Sequence, residues 1–245
     1  MRKGHEYEFG GPIGTAVNTV ALPLVILFLY YACPNEGTFC LSGVDVASLV
    51  EMPVPSWAEL LSLEAVGVFC AWFLGLVVLE RALPYQEGQG VQLKTGGKLS
   101  YRLNGHLTFW LALFIVEHTC PLTYLYDNYI QLAVAAIVFS TAMSVFLYAA
   151  SFRKGALLAD GGNTGNVPYD FWMGRELNPR IGSFDLKVFC ELRPGLIGWA
   201  VLNLGNSQRS APLHFLPELP ESQSLSRACS CVFFFVYVVC VFVRM

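Results

Sequence analysis

The chain has 245 residues, 55% of them hydrophobic and 13% charged, with a formal net charge of −3 and a mean hydropathy of +0.51. Soluble domains carry roughly a quarter of charged residues, so this composition excludes an ordinary soluble domain and points to a bilayer. The acidic balance and the lack of any Lys/Arg cluster exclude a nucleic-acid surface, and eight cysteines without CxxC spacing give no metal site.

Arg2 and Lys3 precede an apolar run at 13–31. A basic start and an apolar core also describe a signal peptide, but the run is about 19 residues long and lacks an A-x-A cleavage site, so a retained first span is expected. Residues 34–59 form an acidic loop without Lys or Arg, flanked by Cys33 and Cys40, a candidate disulfide if the loop is lumenal. A second span is expected at 60–83, then a Gly- and Gln-rich loop at 84–102. A third span at 107–126 is interrupted by Glu117, His118 and Pro121, and a fourth at 129–152 is rich in Ala and Ser, small residues that let membrane helices pack closely. Intramembrane charges are functional candidates by default, but Glu64, Glu117 and His118 fall near span ends, where solvation explains them. A fifth span is expected at 192–204.

The basic residues test this layout, because Lys and Arg collect in cytoplasmic loops. Two precede the first span, none lies in 34–59, four surround the second loop, none lies in 117–128, and six fall in 153–193. All 12 basic residues up to Arg193 therefore lie on one side, which puts the N-terminus, the second loop and 153–191 in the cytoplasm. Beyond the fifth span, 206–227 reads as an unstructured Ser/Pro-rich connector, and 228–243 is a short apolar run of 16 residues.

Polar chemistry collects in 153–193, which holds 11 of the 33 charged residues. Gly161-Gly162-Asn163-Thr164-Gly165-Asn166 is either a turn at the membrane surface or a backbone cradle for a phosphate, though it matches no phosphate-loop pattern. Further on, Asp170 with Arg175, Glu176 with Arg180, Asp185 with Lys187 and Glu191 with Arg193 are close in sequence. Either these pairs neutralise a loop against the bilayer, or Arg175 and Arg180 offer planar forks to a phosphate, with Tyr169 or Asp170 as proton donor.

The run GNVPYDFWMGRELNPR, followed by FDLKVFCELRPGLIGW, resembles the signature of the sterol reductase family. Gly165, Tyr169, Asp170, Gly174, Leu177, Asn178, Pro179 and Arg180 fall at the signature's positions. Glu8-Phe9-Gly10-Gly11-Pro12 and Tyr101-Arg102-Leu103-Asn104-Gly105 extend the similarity to about residues 7–205. The closest branch is that of the C-14 sterol reductases and the lamin B receptor, with an enzyme-type relative expected because only about twelve residues precede the first span.

The resemblance implies an all-α, polytopic membrane helical bundle, with about five spans in 1–205 of a family that has about ten, and with a divergent tail at 206–245. It implies NADPH-dependent reduction of the C14=C15 double bond of sterol intermediates in sterol biosynthesis, with a sterol and membrane lipid as partners. The expected location is the endoplasmic reticulum membrane or the nuclear envelope, with a cytoplasmic N-terminus. Tyr169 and Asp170 are candidate catalytic residues, and Arg175 and Arg180 candidate cofactor-binding residues. The family's C-terminal cofactor motif has no counterpart in this sequence, so the expectation is a truncated reductase; the alternative is a non-catalytic sterol-binding or scaffold protein related to the lamin B receptor.

Overall fold

The structure is a computed structural model, which describes residues 7–32, 56–93, 96–120 and 122–210. The candidate Cys33–Cys40 disulfide and the apolar run at 228–243 lie outside the described residues. Among the described residues the architecture is mostly helical, and three helical segments are long and apolar enough to cross a membrane: Gly11–Phe28, Trp57–Ala82 and Tyr129–Ala150.

Helix α1 (Gly11–Ala32) opens after Gly10 and Gly11 adopt positive φ, and Pro12 sits where the first turn needs no N–H donor. Pro23 lies within it; the carbonyl it leaves unpaired is tolerable where neighbouring groups compensate. A short turn, α2 (Trp57–Leu60), leads to α3 (Leu63–Ala82), whose N-cap Ser62 accepts a hydrogen bond from the Ala65 amide. Extended Leu83 ends α3 because Pro84 disfavours helical geometry before it.

The expected loop at 84–102 is instead an antiparallel hairpin of β1 (Gln86–Gln92) and β2 (Lys98–Leu103), so the all-α description needs correcting. Leu99, Tyr101 and Leu103 alternate along β2, a strand pattern that the glycines of β1 obscure. Arg102 reaches back from β2 and donates to the Arg81 carbonyl at 2.9 Å, closing the end of α3.

Helix α4 (Gly105–Thr119) stops at extended Cys120, and α5 (Leu122–Asp127) follows separately. The continuous third span expected at 107–126 is therefore divided, for the reason that limits α3: the residue before Pro121 cannot stay helical. At 15 residues, α4 is roughly 22 Å long. Helix α6 (Tyr129–Ala150) is the central element, burying Ala133, Ala135, Ala136, Ser140 and Ser144. Their small size brings α3 close, where Phe69 and Phe73 pack on Phe139.

The chain then leaves the bundle through a 3-10 turn (Asp160–Gly162), α7 (Val167–Met173) and a minimal hairpin of β3 (Arg180–Ile181) and β4 (Phe184–Asp185). It returns through α8 (Leu186–Cys190), a π turn (Glu191–Gly195) holding Pro194, and α9 (Leu196–Ser210). Wider π geometry accommodates the missing proline donor inside a continuing helix. The last helical segment thus begins before the expected 192 and includes 206–210, which the sequence reading assigned to a connector. Phe73, Leu76, Val116, Leu147, Phe189 and Ile197 form the shared core, while Ile13, Val17, Leu74, Val78, Phe114 and Val145 expose apolar surface outward.

Asn104 ties three of these elements together. Its buried amide donates to the Glu80 carbonyl on α3 at 2.8 Å and accepts from Arg193 of the π turn at 2.7 Å. Asn104→Ala removes both bonds and strands a buried guanidinium. We expect a loss of about 1–3 kcal/mol, read as a lower thermal unfolding midpoint in detergent; an unchanged midpoint would show that the tie carries no stability.

Candidate functional site

Asn166 caps α7 by accepting from the Tyr169 amide, with Pro168 in the first turn, an arrangement that starts a helix efficiently. One turn into α7, Asp170 is buried. Its Oδ1 accepts from the Thr164 amide at 2.8 Å and from the Thr164 hydroxyl at 2.7 Å, and its Oδ2 accepts from the Gly165 amide at 2.9 Å. Here the glycine-rich loop does cradle an oxyanion, but the anion is the protein's own carboxylate. Gly162 is required by packing: a Cβ there would run into the Gly174 carbonyl.

Tyr169 is 1% exposed, and its hydroxyl accepts from the Glu8 amide at 3.1 Å while its ring meets Tyr7 edge-on. The two family-like stretches at Glu8–Pro12 and Gly165–Arg180 are thus in contact. Phe9 approaches the Trp172 ring in the same interface.

Arg175 lies with its guanidinium 4.0 Å from the Phe152 ring centroid and donates to the Ser151 carbonyl at 2.8 Å. Glu176 pairs with Arg153 at 2.6 Å, and the Leu158–Glu176 bridge closes the loop between them. Arg180 donates through Nε to Asp185 at 3.1 Å and through Nη1 to the Ser100 carbonyl at 3.1 Å, over the Tyr101 ring. Asn178 also donates to Asp185 at 3.0 Å, and the other oxygen of Asp185 caps α8 through the Val188 amide.

The local pairing pattern read from the sequence is therefore corrected. Of the four pairs proposed there, none is an ion pair among the described residues; the pairs formed include Arg153–Glu176, Arg180–Asp185 and Arg102–Glu80. Sequence proximity misled because Glu176 turns back to Arg153, far earlier in the chain, and Asp185 pairs with Arg180 rather than with Lys187. The four candidates do not converge on one cleft: Tyr169 and Asp170 serve α7 and its loop, Arg175 packs on the end of α6, and Arg180 joins the two hairpins. Asn104 was recognised only as part of a motif; its position directly before a helix after a strand was the available signal.

The returning segment borders two cavities. One, of about 590 Å³, is almost wholly apolar and lies among α3, α4, α5, α6 and α9, with Trp72, Leu76, Val116, Pro194, Gly198 and Val201 in its walls. The other, of about 570 Å³, sits under the first hairpin and includes Arg102, Gly105, His106 and Arg193.

A family model described as Ergosterol biosynthesis ERG4/ERG24 family matches residues 3–215. The chain is 41% identical over 220 residues to the Delta(14)-sterol reductase of Ascobolus immersus, covering 82% of this chain and 50% of that protein. It is 40% identical over 218 residues to the Delta(14)-sterol reductase LBR of Gallus gallus, covering 86% of this chain and 33% of that protein. Against the Delta(14)-sterol reductase TM7SF2 of Mus musculus the identity is 39% over 220 residues, covering 86% and 50%. The chain spans between a third and a half of the length of these relatives.

Glu176 gives a pH test of the loop. Burial raises its carboxyl above the ordinary value, and Arg153 opposes the shift without cancelling it. A carboxyl that holds its proton more tightly when folded contributes fully below the unfolded pKa and loses that contribution as pH rises through the folded one. Thermal stability should therefore fall as pH rises through and just above the carboxylate range, and Glu176→Gln should flatten that slope. An identical slope in the variant would assign it elsewhere.

Proposed function

The chain belongs to the ergosterol biosynthesis ERG4/ERG24 family, and we propose that it forms the first half of a delta(14)-sterol reductase-type membrane domain. In this reading residues 1–205 carry five of the family's spans, with α4–α5 and α8–α9 crossing beside the three long helical segments. The N-terminus and the signature element face the cytoplasm in the endoplasmic reticulum or nuclear envelope. The reaction is reduction of the sterol C14=C15 bond, by protonation of the alkene and hydride addition to the resulting cation. The observation that carries the reading is the apolar cavity of about 590 Å³, within the range of small-molecule sites. Pro194 and Gly198 of the family-like CELRPGLIGW stretch stand in its wall, and its apolar lining suits a sterol ring system and excludes water from a cation.

NADPH would supply the hydride. Among the described residues, Arg175 and Arg180 are poor phosphate clamps: Arg175 is engaged by Ser151 and stacked on Phe152, while Arg180 retains only Nη2 unbonded. No hydride step is assigned to them. Tyr169 and Asp170 act in this reading by holding the N-terminal segment and the glycine-rich loop. The same engagement favours a second reading, in which this chain binds a sterol without turning it over.

Microsomes expressing the chain, compared with a full-length relative, separate the two. NADPH-dependent loss of a Δ14-sterol supports the reductase; photo-crosslinking of a sterol probe without turnover supports the binding protein; neither result would sink both. A cavity-filling Gly198→Phe should weaken probe capture roughly tenfold, about 1.4 kcal/mol. Unchanged capture would remove the cavity from the argument.

A further inference from the structure

The second cavity, of about 570 Å³, is built differently from the first and is independent of the sterol reading. It lies where the β1–β2 hairpin meets the start of α4 and the π turn, with Gln89, Tyr101, Arg102, Gly105, His106 and Arg193 around it. Several of these groups are donors that the described structure leaves without a partner.

Arg193 is the first. It is 5% exposed, spends Nη2 on Asn104, and has no hydrogen-bond partner for Nε. A buried guanidinium with an unspent N–H is costly unless something accepts from it. The start of α4 is the second, independent feature. Asn104 occupies the N-cap position but makes no side-chain cap bond, because its amide is committed to Glu80 and Arg193. The first-turn amides of this 15-residue helix therefore lack a capping side chain, and they carry the positive end of the helix dipole. Gly105 lets the two features meet: a Cβ there would lie 2.8 Å from Arg193 Nη1.

His106 adds a donor of defined identity. The Trp110 indole, which can only donate, gives its hydrogen bond to His106 Nε2 at 3.0 Å, so the neutral imidazole carries its hydrogen on Nδ1. The charge balance is positive. Arg102 and Arg193 face one buried acid, Glu80, whose Oε1 lies 3.7 Å from Arg102 Nε. Glu87, opposite Arg102 in the hairpin register, is exposed to solvent, where its effect is screened.

We propose that this cavity is a binding site for a phosphate oxyanion, held by the Arg193 guanidinium, the first-turn amides of α4 and His106 Nδ1–H. An oxyanion accepts from all three kinds of donor and requires none in return. Its source is either a phospholipid headgroup, since the cavity lies at the start of α4 beside the β1–β2 hairpin, or a soluble phosphate compound.

The test uses the full chain in a maltoside detergent, which carries no phosphate. Thermal unfolding is followed with inorganic phosphate, with short-chain phosphatidic acid, with diacylglycerol of the same chains, and with chloride at matched ionic strength. Binding to the folded state raises the midpoint, so we expect a rise of several degrees with phosphatidic acid or phosphate and none with diacylglycerol or chloride. A response to phosphatidic acid alone identifies a headgroup site; a response to both identifies one open to soluble phosphates. Arg193→Gln and His106→Ala should each remove at least half of the rise. If Arg193→Gln does not fold, His106→Ala and Arg193→Lys, which keeps the charge without the fork, decide instead. No rise with either phosphate probe, or an undiminished rise in the variants that fold, would overturn the proposal.

Discussion

The buried Asp185 carboxylate is the point on which the polar end of the molecule depends. It accepts from Asn178 and Arg180 with one oxygen and caps α8 through Val188 with the other. Asn178 and Arg180 extend the network to Tyr101 and Ser100 of the first hairpin. One acid thus joins the family-like signature, the hairpin and the helix that re-enters the apolar bundle. The constraint behind it is general: a charge beside a low-dielectric region must be paired and fully hydrogen-bonded, because an uncompensated one costs several kcal/mol.

The same constraint explains the other polar contacts. Asp170 satisfies amides of the glycine-rich loop, Arg175 closes the end of α6, and Asn104 links α3, α4 and the π turn. Each of these three side chains is committed to a segment other than its own helix or strand. This cross-linking holds the loop after α6 as a folded unit, and it leaves the bundle interior to Phe, Leu, Ile and small residues. Arg193 and Pro194 stand at the division: the arginine faces the polar cavity, and the proline faces the apolar one.

Some features were legible in the chain because they are local or additive. The apolar runs at 13–31, 60–83 and 129–152 correspond to long helices, since about twenty apolar residues in sequence leave few alternatives. The signature was legible from the order of its residues and agrees with the family match. The hairpin at 86–103 was less so, because glycines in β1 hide the alternation of β2 and pairing is a non-local property. Pro121 was noted as an interruption, but its effect was underestimated: it divides the third helical region in two.

By itself, then, the sequence determined a membrane protein of the sterol reductase family, its principal helices, and the concentration of charge in 153–193. Tertiary structure decided which charges meet. Glu176 turns to Arg153 rather than Arg180, Arg180 turns to Asp185, and Arg193 turns to Asn104 rather than Glu191. The reason is physical: in irregular backbone the turns, not the spacing along the chain, set which way a side chain points, and pairing requires atoms within about 3 Å. Only packing brings Gly165, Tyr169, Asp170 and the Glu8 segment together, and only packing sets an oxyanion-poor arginine against the bare start of a helix.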